Sequence, residues 1–365
     1  MTSRSDSHDR RPYLDGLRGV AALMVFMIHS GAPLLRAQGR LGNLLVDYGK
    51  YGVSVFFVVS AFTLCMTMAP ALDAQQVSWT RYFIRRFFRI APLYYLVLAF
   101  VILSNSTVRA REDFWPTILA HFTFANMALP HYANDLLQVE WSIAVEFAFY
   151  LILPLLLVLC RSRRGIAALA CATAMLTYNY NSIAQLFGEP YMSFRQLNLL
   201  GHGVPFVVGM MCFLALRRHG VEGVVKHLLV VIGALAVLVL FCSSEGRWSE
   251  PLISLGTAAV LVSAATRGIA GRVLSRWPLA QIGKISYSVY LTHCFCLHYL
   301  HPFREPNLNV LLALACTLAL SSVTYLAVEQ PMRRLGGLVA RRIGRDRNGE
   351  GEPSPNLPAV AQRAA

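Results

Sequence analysis

Residues 13–30 read YLDGLRGVAALMVFMIHS, an apolar run that nevertheless contains Arg18 and His29. Eleven residues separate these two. On an α-helix they would differ by about 20° around the axis and by about 16 Å in height, so they would share one face. Ionisable groups inside a membrane span are costly and usually face the interior of a helix bundle. This stretch therefore predicts a membrane helix with a line of polar groups through it.

Other roles remain open for each of these residues. Arg18 also fits a side chain that extends to the inner membrane interface or that pairs with Asp15. Asp15 itself fits a helix N-cap. His29 also fits a hydrogen-bonded histidine of the protein core, although its position within the apolar run favours a functional site.

The composition of the whole chain supports the membrane interpretation. Of 365 residues, 56% are hydrophobic and 14% are charged, and the mean hydropathy is +0.49. A soluble domain of this size needs more charge on its surface. Apolar windows of span length predict an all-α, polytopic helix bundle with about ten transmembrane helices. The windows are 16–35, 50–69, 88–105, 141–160, 165–186, 203–216, 228–242, 252–266, 279–300 and 308–329.

The net charge of +14 is distributed in a way that predicts the orientation of the spans. With both termini in the cytoplasm, the inner loops and ends as far as Arg347 hold 22 Lys and Arg residues, against 8 on the outer side. Such an excess follows the positive-inside rule. The basic residues form short clusters rather than one basic surface, so we expect no nucleic-acid partner. The predicted membrane domain is 13–335, between a cytoplasmic segment (1–12) and a largely disordered cytoplasmic tail (336–365).

A second polar group begins the third predicted span, in RYFIRRFFRIAPLYYL at 81–96. Arg86 and Arg89 are three residues apart and would face the same way on a helix. The guanidinium group is well suited to bidentate binding of phosphate. Plain anchoring of the span at the cytoplasmic face explains such a cluster as well.

A carboxylate lies inside the fourth predicted span, in WSIAVEFAFYLILPLLL at 141–157. Glu146 and Tyr150 are one helical turn apart and would share a face. A carboxylate in a span needs a partner, and His29 is one possibility. A carboxylate that orients an imidazole raises its basicity, as in acyl-transfer sites. A structural ion pair is the alternative.

The ninth predicted span ends with ISYSVYLTHCFCLHYLH at 285–301. It contains His293 together with Cys294 and Cys296, which suggests a metal site at first sight. The two cysteines would lie about 200° apart on a helix and could not face one ion, so we expect no metal there. A polar packing role for His293 is the prediction. In the longest outer segment, 106–140, the aromatic residues fit an interfacial helix or a cap over an acceptor site.

Six stretches, in this order, resemble the integral membrane acyltransferase 3 family over about residues 13–335. They are LDGLRGVAALMVFMIHS, YGVSVFFVVSAF at 51–62, RRFFRIAPLYYL at 85–96, WSIAVEFAFYLILP at 141–154, ISYSVYLTH at 285–293 and VEQPMRR at 328–334. Two positions differ from the usual family pattern. Ala61 stands where Gly is common, and Gln330 where Arg or Lys is common.

The resemblance implies a ten-span enzyme of the bacterial inner membrane that moves an acyl group, usually acetyl, from cytoplasmic acyl-CoA to a hydroxyl of a carbohydrate-type acceptor. It implies His29 as the catalytic residue and Arg18, Arg86 and Arg89 on the CoA side. Glu146 would be an essential polar group of the core. Acyl-CoA would be a co-substrate, and no permanently bound cofactor is expected.

Two versions of the chemistry stay open on sequence grounds. His29 could act as the general base for the acceptor hydroxyl, or it could carry the acyl group as an acyl-histidine. A function of another class also remains: a proton-coupled transporter or flippase of a glycan or lipid-linked precursor, with Arg18, His29 and Glu146 as a proton relay.

Overall fold

The protein was analysed as a computed structural model, which describes residues 11–74, 76–185, 197–219, 233, 249–266, 268–300 and 302–347. The predicted all-α class is confirmed: 84% of the structure is helical, and the described residues contain no strand. The helices of the first half are Pro12–Ser30 (α1), Pro33–Arg36 (α2), Arg40–Asp47 (α3), Gly52–Asp73 (α4), Trp79–Ser104 (α5), Ser106–Arg109 (α6), Phe114–Phe122 (α7) and Glu140–Leu159 (α8).

The second half of the chain continues the same all-helical architecture. Its helices are Arg163–Gln185 (α9), Gly203–His219 (α10), Ser249–Ala265 (α11), Ile269–Leu274 (α12), Leu279–Lys284 (α13), Ser286–Tyr299 (α14), Pro306–Thr324 (α15) and Gln330–Arg347 (α16). Short 3-10 turns lie at Tyr48–Tyr51, Ala125–Met127 and Pro130–Tyr132, and a π-helical turn, Tyr325–Glu329, joins α15 to α16.

Four helices among the described residues are long and apolar enough to cross a membrane. They are Arg40–Asp73, Trp79–Ser104, Glu140–Leu159 and Pro306–Ile343. Large apolar side chains on three of them point outward: Leu103 is 74% exposed, Leu155 62% and Val323 62%. A water-soluble protein rarely presents so much apolar surface, whereas a lipid-facing surface requires it. The chain is therefore a helical membrane protein.

The predicted spans coincide with helices wherever the structure describes them, with three differences in detail. The window 16–35 is divided at Gly31 and Ala32 into α1 and α2. The window 279–300 is divided at Ile285 into α13 and α14. The last window, 308–329, ends in the π-helical turn, and α16 then carries the helix to Arg347, into the tail segment 336–365. The window 228–242 lies almost entirely outside the described residues, as do residues 1–10 and 348–365.

Helix α1, which carries Arg18 and His29, packs against α4, α13 and α14. Its ends follow local rules: Pro12 occupies the first turn, and Gly31, with φ +67°, ends the helix in the left-handed conformation. Small residues allow the neighbouring backbone to approach closely. A Cβ atom on Gly283 of α13 would overlap the carbonyl oxygen of Asp15. This contact fixes the depth of α1, and hence of Arg18, in the bundle.

Candidate active site

Arg18 and His29 lie on one helix, α1, with Arg18 in its first half. Arg18 is largely buried, with 15% of its side chain exposed; its Nη2 atom donates a hydrogen bond to Thr63 Oγ1 (3.2 Å), and Asp15 Oδ1 lies 3.7 Å from Nη1. The alternative pairing of Arg18 with Asp15 is therefore present, at a distance longer than a hydrogen bond. His29 lies in the last turn of the helix and is exposed.

A second histidine, His293 of α14, contacts His29. His29 Nδ1 lies 2.9 Å from the carbonyl oxygen of Val25 and 3.2 Å from His293 Nε2. The ring centroids are 5.0 Å apart. His293 is buried, and its Nδ1 lies 2.8 Å from the carbonyl oxygen of Tyr290.

These contacts define the tautomers of the neutral pair. A carbonyl oxygen can only accept a hydrogen bond, so Nδ1 carries the hydrogen in both rings. His29 Nδ1–H is then shared between Val25 and the lone pair of His293 Nε2. This leaves His29 Nε2 with a free lone pair. The arrangement can supply a general base or a nucleophile at the exposed end of α1.

The predicted arginine pair lies on α5, where the two side chains have different surroundings. Arg86 is placed over the rings of Tyr82 (5.8 Å) and Tyr150 (5.9 Å), and its buried Nε atom has no hydrogen-bond partner. Arg89 interacts electrostatically with Tyr150 and with two carboxylates, Glu329 and Glu146. By contrast, neighbouring Arg85 is exposed. Arg86 and Arg89 are thus half-buried and interact with groups of the bundle.

Glu146 has partners other than the histidine suggested by the sequence. Its Oε1 atom accepts hydrogen bonds from Ser60 and from Tyr150, both at 2.6 Å. The Tyr150 bond agrees with the predicted shared face, whereas the suggested contact with His29 is not formed. Glu146 instead lies within electrostatic range of Arg18, Arg86 and Arg89. The structure therefore groups the carboxylate with the arginines and pairs His29 with His293.

Glu329 is a site residue that the sequence analysis quoted only within a motif. It lies in the π-helical turn, is 3% exposed, accepts a hydrogen bond from Ser288 Oγ (3.2 Å) and lies 3.6 Å from Arg333. π-Helical turns inside α-helices are frequent at functional sites. A carboxylate at the end of an apolar run was the signal that could have identified it.

A further polar cluster, also missed, lies beside the first turn of α8. His202 Nδ1 lies 2.6 Å from Glu250 Oε1, to which Ser54 Oγ donates a hydrogen bond of 2.8 Å. Trp141 stacks on the imidazole of His202 with 5.0 Å between the ring centroids. His202 and Glu250 are distant in sequence and each flanks a window of weak apolar signal. Periodicity alone could not have brought them together.

The segment 106–140, predicted to lie on the outer side, packs against the bundle. Tyr95 donates a hydrogen bond to the carbonyl oxygen of Phe122 (2.6 Å), and buried Phe124 stacks on Tyr94 and Phe147. Trp115, in contrast, is 75% exposed. The segment thus combines a packed layer with an exposed aromatic side chain, which is compatible with both the interfacial and the capping interpretation.

Charged groups in this outer segment also form a network. His121 Nε2 lies 3.1 Å from Asp135 Oδ1 and 3.7 Å from Glu140 Oε1. Burial disfavours the charged imidazole, but the two carboxylates outweigh burial and raise the pKa of His121 to about 9. Arg111 contacts both Asp113 (2.9 Å) and Asp135 (2.7 Å). The network therefore favours the protonated, positively charged form of His121.

Taken together, the fold and the site define an integral membrane protein with a buried arginine–carboxylate cluster and a histidine pair. The chain belongs to the acyltransferase 3 family, whose sequence model, described as an acyltransferase domain, matches residues 11–326. The family expected from the sequence motifs is confirmed.

Curated relatives extend over most of the chain at low identity. "Putative peptidoglycan O-acetyltransferase YrhL" of Bacillus subtilis (strain 168) is 26% identical over 92% of this chain and 57% of its own length. "Acyltransferase MdmB" of Streptomyces mycarofaciens is 28% identical over 90% of this chain and 93% of its own length. A "Putative O-acetyltransferase" of Staphylococcus aureus (strain COL) is 25% identical over 89% and 58%. The chain thus spans little more than half of two of these relatives. No solved structure matches the chain.

Proposed function

We propose that this protein is a membrane-bound O-acyltransferase that moves an acyl group, acetyl by preference, from cytoplasmic acyl-CoA to a hydroxyl of a carbohydrate-type acceptor. The observation that carries the proposal is the free Nε2 of His29, held by the contact of Nδ1 with His293. In this proposal the chain crosses the inner membrane about ten times, with both termini in the cytoplasm. His29 is then on the outer side and Arg18 near the inner side.

In this proposal Arg18, Arg86 and Arg89 bind the phosphate groups of acyl-CoA. Among the described residues, the one hydrogen bond that these three guanidinium groups make is that of Arg18 to Thr63. Most of their donors are therefore available to phosphate oxygens, which accept bidentate hydrogen bonds from arginine. Glu146 and Glu329 lie within electrostatic range of this cluster and would position the arginines.

The transfer step belongs to His29. Its Nε2 takes the proton of the acceptor hydroxyl while that oxygen attacks the thioester carbonyl carbon. The carbon–sulfur bond then breaks, CoA leaves as the thiolate, and the imidazolium returns the proton to give free CoA. During this step the neutral His293 accepts the Nδ1–H hydrogen bond, which keeps the ring of His29 in the productive orientation. His293 is a positioning residue in this scheme.

A carbohydrate-type acceptor is supported by the names of relatives rather than by contacts. The Bacillus relative is named for peptidoglycan, and the Staphylococcus relative as an O-acetyltransferase. Both relatives are much longer than this chain, so the acceptor of a relative is not by itself assigned to this chain. The exposed position of His29 supports an acceptor that arrives from the outer side.

The central test compares the cell-surface glycans of strains that carry the wild-type protein, His29→Ala or no protein. Mass spectrometry should detect added acyl groups, 42 mass units each for acetyl, with the wild type alone. Because His298 is exposed on the same helix as His293, His298→Ala is the matched control. Glycans of equal mass in all strains would exclude a surface-glycan acceptor. Acylation of these glycans by His29→Ala would exclude His29 as the base.

A second test separates acyl transfer from transport. Purified protein should be stabilised against heat by CoA, since a ligand that binds the folded state raises the melting temperature. The shift should be smaller for Arg86→Ala than for Arg85→Ala. A protein that binds no CoA but drives pH-dependent flux in vesicles would be a transporter instead. Labelled acyl-CoA supplied without acceptor would leave label on His29 if an acyl-histidine forms.

A further inference from the structure

Three side chains of the outer segment bring their ligand atoms together at the outer end of α8. His121 lies in the last turns of α7, Asp135 in the following loop, and Glu140 is the first residue of α8. One nitrogen or oxygen atom from each lies within 4.8 Å of those of the other two. His121 and Glu140 are completely buried, and Asp135 is largely buried. The cluster is therefore an enclosed site and not a solvated acidic surface.

The orientation of His121 leaves one ring nitrogen without a partner. Its Nδ1 lies 2.8 Å from the carbonyl oxygen of Thr117, which can only accept, so Nδ1 carries the hydrogen. In the neutral ring Nε2 is then a lone pair. It makes no hydrogen bond of good geometry, although it faces carboxylate oxygens at 3.1 and 3.7 Å. A backbone carbonyl on the other nitrogen is the arrangement that orients metal-binding histidines.

The carboxylates keep free oxygens directed into the same space. Arg111 binds Asp135 through Oδ2, which leaves Oδ1 without a hydrogen-bond partner. The backbone N–H of Leu136 donates to Glu140 Oε1 (2.7 Å), which leaves the buried Oε2 atom without one. The completely buried Glu140 Oε2 atom, which has no hydrogen-bond partner among the described residues, is the second observation that points to a ligand, because buried polar groups are almost always satisfied.

The charges of the cluster favour a divalent ion. Arg111 is shared between Asp113 and Asp135, so these three side chains carry a net charge of −1, and Glu140 adds a second negative charge. A proton on His121 would balance one of these charges, whereas a divalent cation would balance both.

We propose that His121, Asp135 and Glu140 bind a divalent transition-metal ion of the zinc type. One imidazole nitrogen and two carboxylate oxygens are a ligand set that zinc accepts. Bonds of about 2.0–2.2 Å in a tetrahedron place neighbouring ligand atoms about 3.3–3.5 Å apart. His121 Nε2 lies 3.1 Å from Asp135 Oδ1 and 3.7 Å from Glu140 Oε1, the atom that also accepts the Leu136 N–H, and these two distances bracket that spacing. A water molecule would complete the tetrahedron.

The bound ion would clamp the outer segment to the helix that carries Glu146. Glu140 precedes Glu146 by six residues, less than two helical turns. The ion would join α7 and the loop before α8 to the start of that helix. Its ligands include no residue of the histidine pair or of the arginine cluster, so we infer a structural role for the ion.

The test measures metal directly on the full-length protein, purified in detergent without a histidine tag. Protein treated with EDTA is loaded with Zn²⁺ or Co²⁺, desalted and analysed for metal content by mass spectrometry. Wild type should retain about one equivalent and show the visible absorption of tetrahedral Co²⁺. His121→Gln and Glu140→Gln should bind at least 10-fold more weakly. His131→Ala, an exposed histidine of the same segment, should behave as wild type.

Two results would overturn the proposal. Wild-type protein that retains no metal and gives no Co²⁺ spectrum would show that a protonated His121 balances the carboxylates. Metal retained equally by wild type, His121→Gln and Glu140→Gln would place it elsewhere on the chain. If both variants fail to fold, as judged by gel filtration, the Co²⁺ spectrum of the wild type decides. Its presence supports the proposal and its absence overturns it.

Discussion

His29 Nδ1 and His293 Nε2 lie 3.2 Å apart, although 264 residues separate them in the chain. The contact connects the end of α1 to the middle of α14 and gives the exposed histidine a buried neighbour. Because both Nδ1 atoms are committed to backbone carbonyls, the lone pair of His29 must be on Nε2. The pair therefore orients a reactive nitrogen without a carboxylate beside it.

Replacement of His29 should slow acyl transfer strongly with little effect on binding of the donor. General acid–base catalysis contributes about 10²- to 10⁴-fold, so His29→Ala should lower kcat by that factor. The measurement is release of free CoA from acetyl-CoA in the presence of acceptor. Donor affinity, followed by thermal stabilisation with CoA, should stay within about twofold of wild type. A variant that keeps more than a tenth of wild-type kcat would contradict the role of His29.

His293 should affect turnover and not donor affinity. In His293→Leu one of the two acceptors for the Nδ1–H of His29 is lost, and only the carbonyl oxygen of Val25 remains. The value of kcat should fall about 10- to 100-fold, the usual cost of removing a group that orients another. The KM for acyl-CoA should not change. His293→Gln retains a side-chain oxygen that can accept the hydrogen bond and should recover part of the activity.

The comparison between these two variants separates positioning from packing. Both remove the imidazole, but Gln alone keeps an acceptor. If His293 were only a packing residue, Leu and Gln would lower activity equally, or both would change melting temperature and activity in parallel. Equal kcat values for His293→Leu and His293→Gln would therefore count against the tautomer argument.

The arginine cluster should control the KM for acyl-CoA. A hydrogen bond to a charged group contributes about 1.5–3 kcal/mol, so Arg86→Ala or Arg89→Ala should raise this KM about 10- to 100-fold. Lys at either position keeps the charge but loses the planar fork, and it should give an intermediate value. Arg85→Ala, an exposed residue of the same helix, should resemble wild type. A rise in KM with Arg85→Ala as large as with Arg86→Ala would point to general surface charge.

Helical periodicity predicted which residues share a face of one helix. It placed Arg18 and His29 on one line, and it put Tyr150 on the face of Glu146, where the structure has a 2.6 Å hydrogen bond. These relationships lie within single helices and depend only on 3.6 residues per turn. The sequence could therefore indicate these residues of the candidate site, although not Glu329, before any fold was known.

Contacts between helices could not be derived in the same way. The suggested pair of Glu146 and His29 required knowing which helices are neighbours, and the structure gives each residue another partner. The position of Glu329 depends on a π-helical turn, which an apolar sequence pattern does not predict. The cluster of His121 is spread over an outer segment with no regular periodicity. In each case the missing information is tertiary packing.

The close approach of α13 to α1 provides a prediction about the fold. A Cβ atom at Gly283 would overlap the backbone of Asp15, which cannot move as a flexible side chain does. Overpacking costs about 1–3 kcal/mol, and a contact with backbone should lie at the upper end of that range or beyond it. Gly283→Ala should therefore lower the melting temperature of the purified protein. It should also displace Arg18 and raise the KM for acyl-CoA.

Gly337 of α16 provides a control, because its replacement by Ala should change the melting temperature in the opposite direction. No atom lies within 4 Å of the position that a Cβ atom would take there, and the residue is helical. Alanine at an unobstructed helical position is more stable than glycine by about 0.5–1 kcal/mol, because glycine loses more backbone entropy on folding. Gly337→Ala should thus raise the melting temperature slightly while Gly283→Ala lowers it. Should both substitutions raise it, α1 and α13 do not touch as closely as this packing requires, and the position of Arg18 must be set by other contacts.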